Sequence, residues 1–296
     1  PRRRIPALGS TNRGIRKAGE RQAINAGIQR LAADIFKVAL VRLDERLARE
    51  AMASRVVLQV HDEVILEVPD NEADRAAEVG VERYVLDDGW FRGRGDDRAG
   101  LGDWTVDPVV WPQGLHPLIR HVHERGMDFG LWVEPEMVNV DSDVVRAHPD
   151  WVLRGRAELP REWRHQQVLD LQNPAAYAHV RDALMALLDE YDIAFLKWDH
   201  NRDLVDAAHA GRPAVHGQTL AFYRLLDELR AAHPVLEIES CSSGGGRVDA
   251  EVLTRTDRIW ASDTIDALER QHLQTWTSLL VPPELMGSHL GGPMAH

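Results

Sequence analysis

Apolar positions along this chain follow two different periods, and the order in which the periods change predicts its elements. Between residues 13 and 47, Ile24, Ile28, Leu31, Ile35, Val38, Ala39, Val41 and Leu43 recur at helical spacing with no proline, which predicts an amphipathic helix bent near Gly27. Two strand-length runs follow, 55–60 and 64–68, around His61, Asp62 and Glu63, and predict a β-hairpin tipped with acids. Residues 70–78 read as a short helix with Asp70 as its N-cap and Gly80 as its stop. From residue 82 onward the two periods alternate. Strands are expected over 82–88, 127–133, 193–196, 235–240 and 258–262, with a last one near 288–290, and helices over 116–125, 175–188, 217–232 and from 267. Alternation of this kind predicts an α/β architecture built on a parallel sheet, here a barrel. Residues 141–175, rich in Trp, Pro and Arg, are too long for an ordinary connection and read as a functional loop.

Chemistry-bearing residues cluster where these strands end. Asp87 and Asp88 follow the first, Trp132 and Glu134 the second, and Lys197, Trp198, Asp199, Asn201 and Arg202 crowd the third. Cys241 and a run of glycines follow the fourth, and Asp263 the fifth. The carboxyl ends of the strands in a parallel barrel converge on one mouth, so these groups are expected to meet. Two acids on different strands, with indole faces and an arginine close by, suit a sugar: carboxylates supply acid and nucleophile, and an aromatic plane packs on the ring. Other chemistries lack their parts. No GxSxG elbow is present, Cys241 has no histidine partner by spacing, and the CSSGGG run lacks the lysine of a P-loop.

Composition narrows the setting. Of 296 residues, 44% are hydrophobic and 28% charged, an ordinary globular balance with room for a sizeable core. The single cysteine excludes an internal disulfide framework and a multi-cysteine zinc site. No uncharged run reaches bilayer length, and Pro1-Arg-Arg-Arg-Ile5 lacks the apolar centre of a signal peptide, so the cytoplasm is the expected compartment. The net charge of −12 is uneven: residues 1–60 hold thirteen Lys or Arg against five Asp or Glu, a surplus of +8 that leaves −20 to the remainder. Two unlike pieces are therefore joined. The basic one carries the footprint of a phosphate-binding segment.

The first piece resembles a known family. GERQAINAGIQRLAADIFKVAL followed by LQVHDEVILEVP, within residues 1–70, is similar to the C-terminal palm region of family A DNA polymerases. That resemblance implies a metal-binding role for Asp62. The segment with the partner aspartate and the nucleotide-binding helix are both missing, and Arg30 stands where the family has Gly, so polymerisation is not expected.

The second resemblance covers residues 73–296. YVLDDGWF, GLGDW, WPQGL, GLWVEPEMV, HPDWVL, KWDHNR, ESCSSGGGR and WASDTIDALER, in that order, resemble the catalytic barrel of glycoside hydrolase family 36, the bacterial α-galactosidases. The resemblance implies Asp199 as nucleophile and Asp263 as acid/base of a retaining double displacement on a terminal α-galactoside of an oligosaccharide. It places galactose-binding positions at Asp87, Asp88, Trp132, Arg164, Lys197, Trp198, Asn201, Cys241 and Gly244, with no cofactor or metal. His200 stands where KWDMNR is usual, and a slightly altered pocket is expected. Lys197, two residues before Asp199 and so on its face of the strand, is expected to help keep it ionised.

The expected architecture is thus an incomplete (β/α)8 barrel over 73–296, preceded by a small α+β palm-like segment over 1–72. About six of eight barrel strands are accounted for, which leaves two raw edges. One way to cover an edge is a borrowed strand, with 56–60 or 64–68 pairing in parallel with 84–87 in the first-strand position. Three readings stay open at this point: an α-galactosidase-like enzyme, a nucleic-acid-binding remnant, and an inactive composite of two gene fragments. A galactosyl transferase or an α-N-acetylgalactosaminidase fits the same motifs. Nucleic acid is not the expected partner, no membrane is, and the oligomeric state is left open.

Overall fold

A computed structural model of the chain describes residues 49, 55–60, 63–67, 81–264 and 266–288. Two compact units divide the chain, residues 1–55 and 56–296. The helices expected over 13–47 and 70–78, the Asp62 tip and the boundary expected at residue 73 lie outside the described residues. Strands β1 (Arg55–Val60) and β2 (Glu63–Glu67) pair with each other in a two-stranded sheet, as the hairpin pattern predicts.

In the second unit the elements run β3 (Arg83–Leu86), α1 (His116–His123), β4 (Asp128–Val133), β5 (Met137–Asn139), α2 (Asp143–Ala147), β6 (Gln166–Val168), α3 (Pro174–Glu190) and β7 (Phe195–Trp198). They continue through β8 (Ala208–His209), β9 (Arg212–Pro213), α4 (Val215–Ala232), β10 (Glu237–Ser240), α5 (Ala250–Leu253), β11 (Arg258–Trp260), α6 (Ala267–Thr277) and β12 (Met286–Gly287). Six strands form one all-parallel sheet in chain order, β3-β4-β7-β10-β11-β12. This is the incomplete barrel sheet that the alternation predicts. The borrowed strand is not there: among the described residues β3 pairs only with β4, and β1 and β2 keep to their own sheet.

Register explains the division of faces. Leu86, Leu131, Leu196 and Ile238 form one row across the sheet, and Val133, Trp198, Ser240 and Ile259 another two residues on. These rows hold residues buried to within a few per cent, including Leu131, Leu196, Ile238 and Ile259. Helices α3 and α4 bury Tyr177, Val180, Leu184, Leu187 and Leu188, and Ala221, Phe222, Leu225, Leu226 and Leu229, at the spacing of a core-facing stripe. Asn173 starts α3 by accepting from the Ala175 amide at 3.0 Å, with Pro174 in the first turn.

The opposite face is charged. Trp132, Lys197, Glu239 and Arg258 occupy one row, with Gly130, Phe195 and Glu237 in the row before it. Arg83 on β3 reaches Glu237 on β10 at 2.9 Å, across β4 and β7. Three strand spacings of a flat sheet are about 14 Å. The reach is possible on a concave face where Gly130 offers no side chain and Phe195 lies 4.6 Å beneath the guanidinium. An added Cβ at Gly130 would stand 3.0 Å from both Phe195 and Val85, so glycine is what the close approach permits.

Residues 141–175 are folded rather than irregular. β6 returns antiparallel to β5, and α2 lies between them in the chain. Strand boundaries also move by a few residues, and two of the moves are informative. β7 runs on through Lys197 and Trp198 instead of ending at Leu196, because the concave face accepts a lysine that hydropathy alone excludes. β12 lies at Met286–Gly287, just before the position expected near 288.

Candidate active site

Asp199 stands one residue beyond β7, with its backbone amide donating to the Val133 carbonyl at 2.8 Å, so β4 and β7 set its position together. Its side chain is 8% exposed. Oδ2 accepts from Asn201 Nδ2 at 2.7 Å and from Trp132 Nε1 at 3.3 Å, and Oδ1 accepts from the His200 amide at 2.9 Å. Burial pushes this carboxyl up, but hydrogen bonds from Asn201, Cys241 and the His200 amide, with the charge of Lys197, outweigh it and hold the pKa below the ordinary aspartate value. The role expected of Lys197 is thus a minor contribution beside the hydrogen bonds.

Lys197 itself is buried at a cost to its charge, which Asp87, Glu239, Cys241 and Asp199 more than offset, so its pKa is raised. Its Nζ lies 3.9 Å from Asp87 Oδ2 and 4.9 Å over the Trp260 ring. Asp87 caps the Asp88 amide at 2.8 Å, and Asp88 Oδ2 receives Arg94 Nη2 at 2.8 Å and Nε at 3.1 Å. Both aspartates are exposed.

Arg164 sits at the tip of the hairpin arm. The Gln166 amide donates to the Trp163 carbonyl at 3.0 Å, and the two residues between, Arg164 and His165, have φ of 49° and 58°. That is the pattern of a type I′ turn, built here without glycine or asparagine, and it stores strain at the point where Arg164 Nη1 meets Asn201 Oδ1 at 2.8 Å. Buried Asn139 secures the arm. Its Nδ2 donates to the carbonyls of His165 at 2.8 Å and Asp97 at 3.2 Å, and its Oδ1 accepts from the Leu101 amide at 2.8 Å. Sequence reasoning missed Asn139, because nothing but contact distinguishes one asparagine at the end of a short strand from another.

Cys241 is buried, and burial first, then the charge of Asp199, drives its thiol far up, with Asp263 adding to the effect. It therefore stays a neutral thiol within electrostatic reach of both carboxylates. Gly244, at φ +84°, packs so closely that an added Cβ would stand 2.7 Å from Ser262 Cα and 3.1 Å from the Asp263 nitrogen. The glycine run therefore brings the β10 end against the β11 end. Asp263 is exposed there, with Oδ1 accepting from Trp260 Nε1 at 2.7 Å.

Trp198 is placed differently from the rest. Its indole is 1% exposed, donates to Glu136 Oε1 at 3.1 Å and packs on Phe222 of α4. Alternation along β7 turns it away from the face that carries Lys197 and Asp199, so its side chain does not join the group. His200 borders a cavity of about 460 Å³ that is lined also by Asn201, Ser243, Trp163, Phe222 and Arg247.

A concave parallel sheet with one buried and one exposed aspartate beyond its strand ends is the arrangement of a barrel-type α/β class whose candidate acids stand at the carboxyl ends of the strands. The profile of the melibiase family matches residues 59–296. This chain belongs to the melibiase family. It is 53% identical to an α-galactosidase of Escherichia coli over 224 residues, which are 76% of this chain and 32% of that protein. Against α-galactosidase 1 of Pediococcus pentosaceus it is 41% identical, over 73% of this chain and 30% of the other. The crystal structure of the family 36 α-galactosidase AgaA of Geobacillus stearothermophilus with raffinose matches with a TM-score of 0.70 at 39% identity, covering 73% of this chain and 31% of that one. The chain spans about a third of the length of the curated relatives it matches. A second profile, DNA polymerase family A, matches residues 1–85 and overlaps the first over 59–85.

Proposed function

We propose that residues 73–296 carry the catalytic barrel of a retaining α-galactosidase acting on terminal α-galactosides of oligosaccharides, joined to a polymerase-palm-like fragment over 1–72. The observation that carries this reading is the state of Asp199: a buried carboxylate at a strand end, held below its ordinary pKa by hydrogen bonds from Asn201, Cys241 and the His200 amide. Relatives solved with raffinose and with stachyose support the substrate class.

In the proposed reaction Asp199 attacks the anomeric carbon while Asp263 protonates the departing oxygen, and Asp263 then deprotonates the water that releases the sugar. The mechanism requires the two carboxyl groups about 5–5.5 Å apart. Exposure of Asp263 suits a group that must exchange its proton once per turnover, and the clamp on Asp199 suits one that must stay ionised and still. Asp87, Asp88, Lys197, Arg164, Asn201, Cys241 and the Gly244 backbone are assigned to the hydroxyl groups of the sugar, and Trp132 to its apolar face.

Hydrolysis of a chromogenic α-galactoside by the purified chain, beside Asp199→Asn, tests the assignment. Release that vanishes in the variant supports it. A folded chain that releases no more product than its variant would overturn it, as would inversion at the anomeric carbon.

A further inference from the structure

We propose that Glu134, the residue after β4, is a positioning residue of this site: a buried acid that fixes the backbone of Asn201 and, through it, the orientation and charge of Asp199. The proposal rests on the retaining reading only for its activity readout. Glu134 is fully buried. Its Oε1 accepts from the Asn201 amide at 2.5 Å and its Oε2 from Gln166 Nε2 at 2.9 Å. The side chain of Asn201 then has one available orientation, with Nδ2 on Asp199 Oδ2 and Oδ1 receiving Arg164 Nη1 and Ser243 Oγ.

Glu136, two residues on, shows what Glu134 lacks. It is equally buried, but Arg247 Nη1 lies 2.7 Å from its Oε1, and Trp198 donates to the same oxygen. Burial pushes Glu136 up and the charge of Arg247 brings it back below its ordinary value. No cation pairs with Glu134 among the described residues. The groups that face it are Asp199 from the end of β7 and the neutral Gln166 of β6, while its chain neighbour Glu136 is turned to Arg247 and has His200 Nε2 at 4.0 Å. Burial first, then the charge of Asp199, raises Glu134 to about 8. At neutral pH it therefore keeps its proton, and Asp199 is the one ionised carboxylate bonded to Asn201. Loss of that proton sets two carboxylates on one residue, bonded to its backbone and side chain.

The Asn201 amide is a direct reporter, because it donates to Glu134. We expect its nitrogen and proton shifts in the full chain, followed by NMR from about pH 5 to about pH 9.5, to titrate in the wild type, to move to a lower midpoint in Asp199→Asn, and to be flat in Glu134→Gln. An amide that titrates alike in wild type and Glu134→Gln would overturn the proposal. So would a midpoint that ignores Asp199→Asn, because that severs the two acids. A thermal midpoint followed over the same range covers the case of poor spectra: it should fall with rising pH in the wild type and stay level in Glu134→Gln, and parallel curves would count against the idea. Should the chain hydrolyse α-galactosides, Glu134→Ala should lose roughly 10- to 100-fold in kcat relative to Glu134→Gln with little change in KM, because misplacing a reacting group costs turnover more than binding. A chain inactive in every form rejects the retaining reading but leaves the amide titration to decide the role of Glu134.

Discussion

Asp199 and Asp263 each stand just past the carboxyl end of a parallel strand, yet they live in opposite surroundings. Asp199 is closed in by the indole of Trp132, the amide of Asn201 and its own following peptide. Asp263 is exposed and holds one indole donor, Trp260, at 2.7 Å. The same residue type at equivalent places thus acquires two characters, and the neighbours decide which. A carboxylate enclosed by donors is held ionised and immobile, whereas one at the surface is open to solvent.

The largest expected effect comes from erasing each side of that contrast. Asp199→Asn should abolish α-galactoside hydrolysis, while Asp263→Asn should lower it by about 10²–10⁴-fold, the usual contribution of a general acid/base. Steady-state rates on substrates with good and poor leaving groups separate the two. A good leaving group needs no proton, so it should spare the first step in Asp263→Asn and rescue nothing in Asp199→Asn. Equal losses on both substrates would erase the distinction.

Next comes pH. The lowered pKa of Asp199 means that the folded chain binds this proton less tightly than the unfolded one, so its contribution to stability is present above the unfolded value, about 3.9, and is lost as pH falls through the folded value. Glu134 has the opposite sign: its contribution is fully present below its unfolded value, about 4.3, and is lost as pH rises through about 8. The thermal midpoint should therefore peak in mild acid and decline on both sides. A midpoint that climbed from pH 6 to about 8.5 would contradict the raised pKa of Glu134.

Smaller effects follow at the contact between the two strand ends. Gly244→Ala, at φ +84° with its new Cβ 2.7 Å from Ser262 Cα, should cost about 1–3 kcal/mol in denaturant unfolding and displace Asp263 rather than Asp199. Trp132→Phe removes one donor from Asp199 and should cost about 1 kcal/mol with a rise in its pKa. The matching change at the exposed carboxylate, Trp260→Phe, should cost less, because water replaces the lost donor. A larger loss at Trp260 than at Trp132 would mean that enclosure is not what separates the two acids.

Much of this was legible before any coordinates. Strand-length apolar runs followed at once by Lys197 and Asp199, or by Asp87 and Asp88, announce a parallel sheet with its polar groups at one end, because side-chain period and chain direction are properties of sequence. The hairpin arm was not legible. Its pairing of Met137–Asn139 with Gln166–Val168 closes over a long span, and a turn of Arg164 and His165 carries none of the glycine or asparagine signal that marks such turns. Nor was the face that Trp198 takes, since a motif names neighbours in the chain while alternation sends them to opposite faces.

Sequence by itself determined which residues could do chemistry here, the order of the strands that carry them, and the change of character between a basic first segment and an acidic remainder. Tertiary structure alone decided which acid is enclosed and which is open, that Glu136 has a guanidinium and Glu134 has none among the described residues, and that Asn201 joins Glu134, Asp199, Arg164 and Ser243. The physical reason is that a residue's chemical type travels with the chain, whereas its ionisation depends on dielectric and on partners brought from strands far away in sequence.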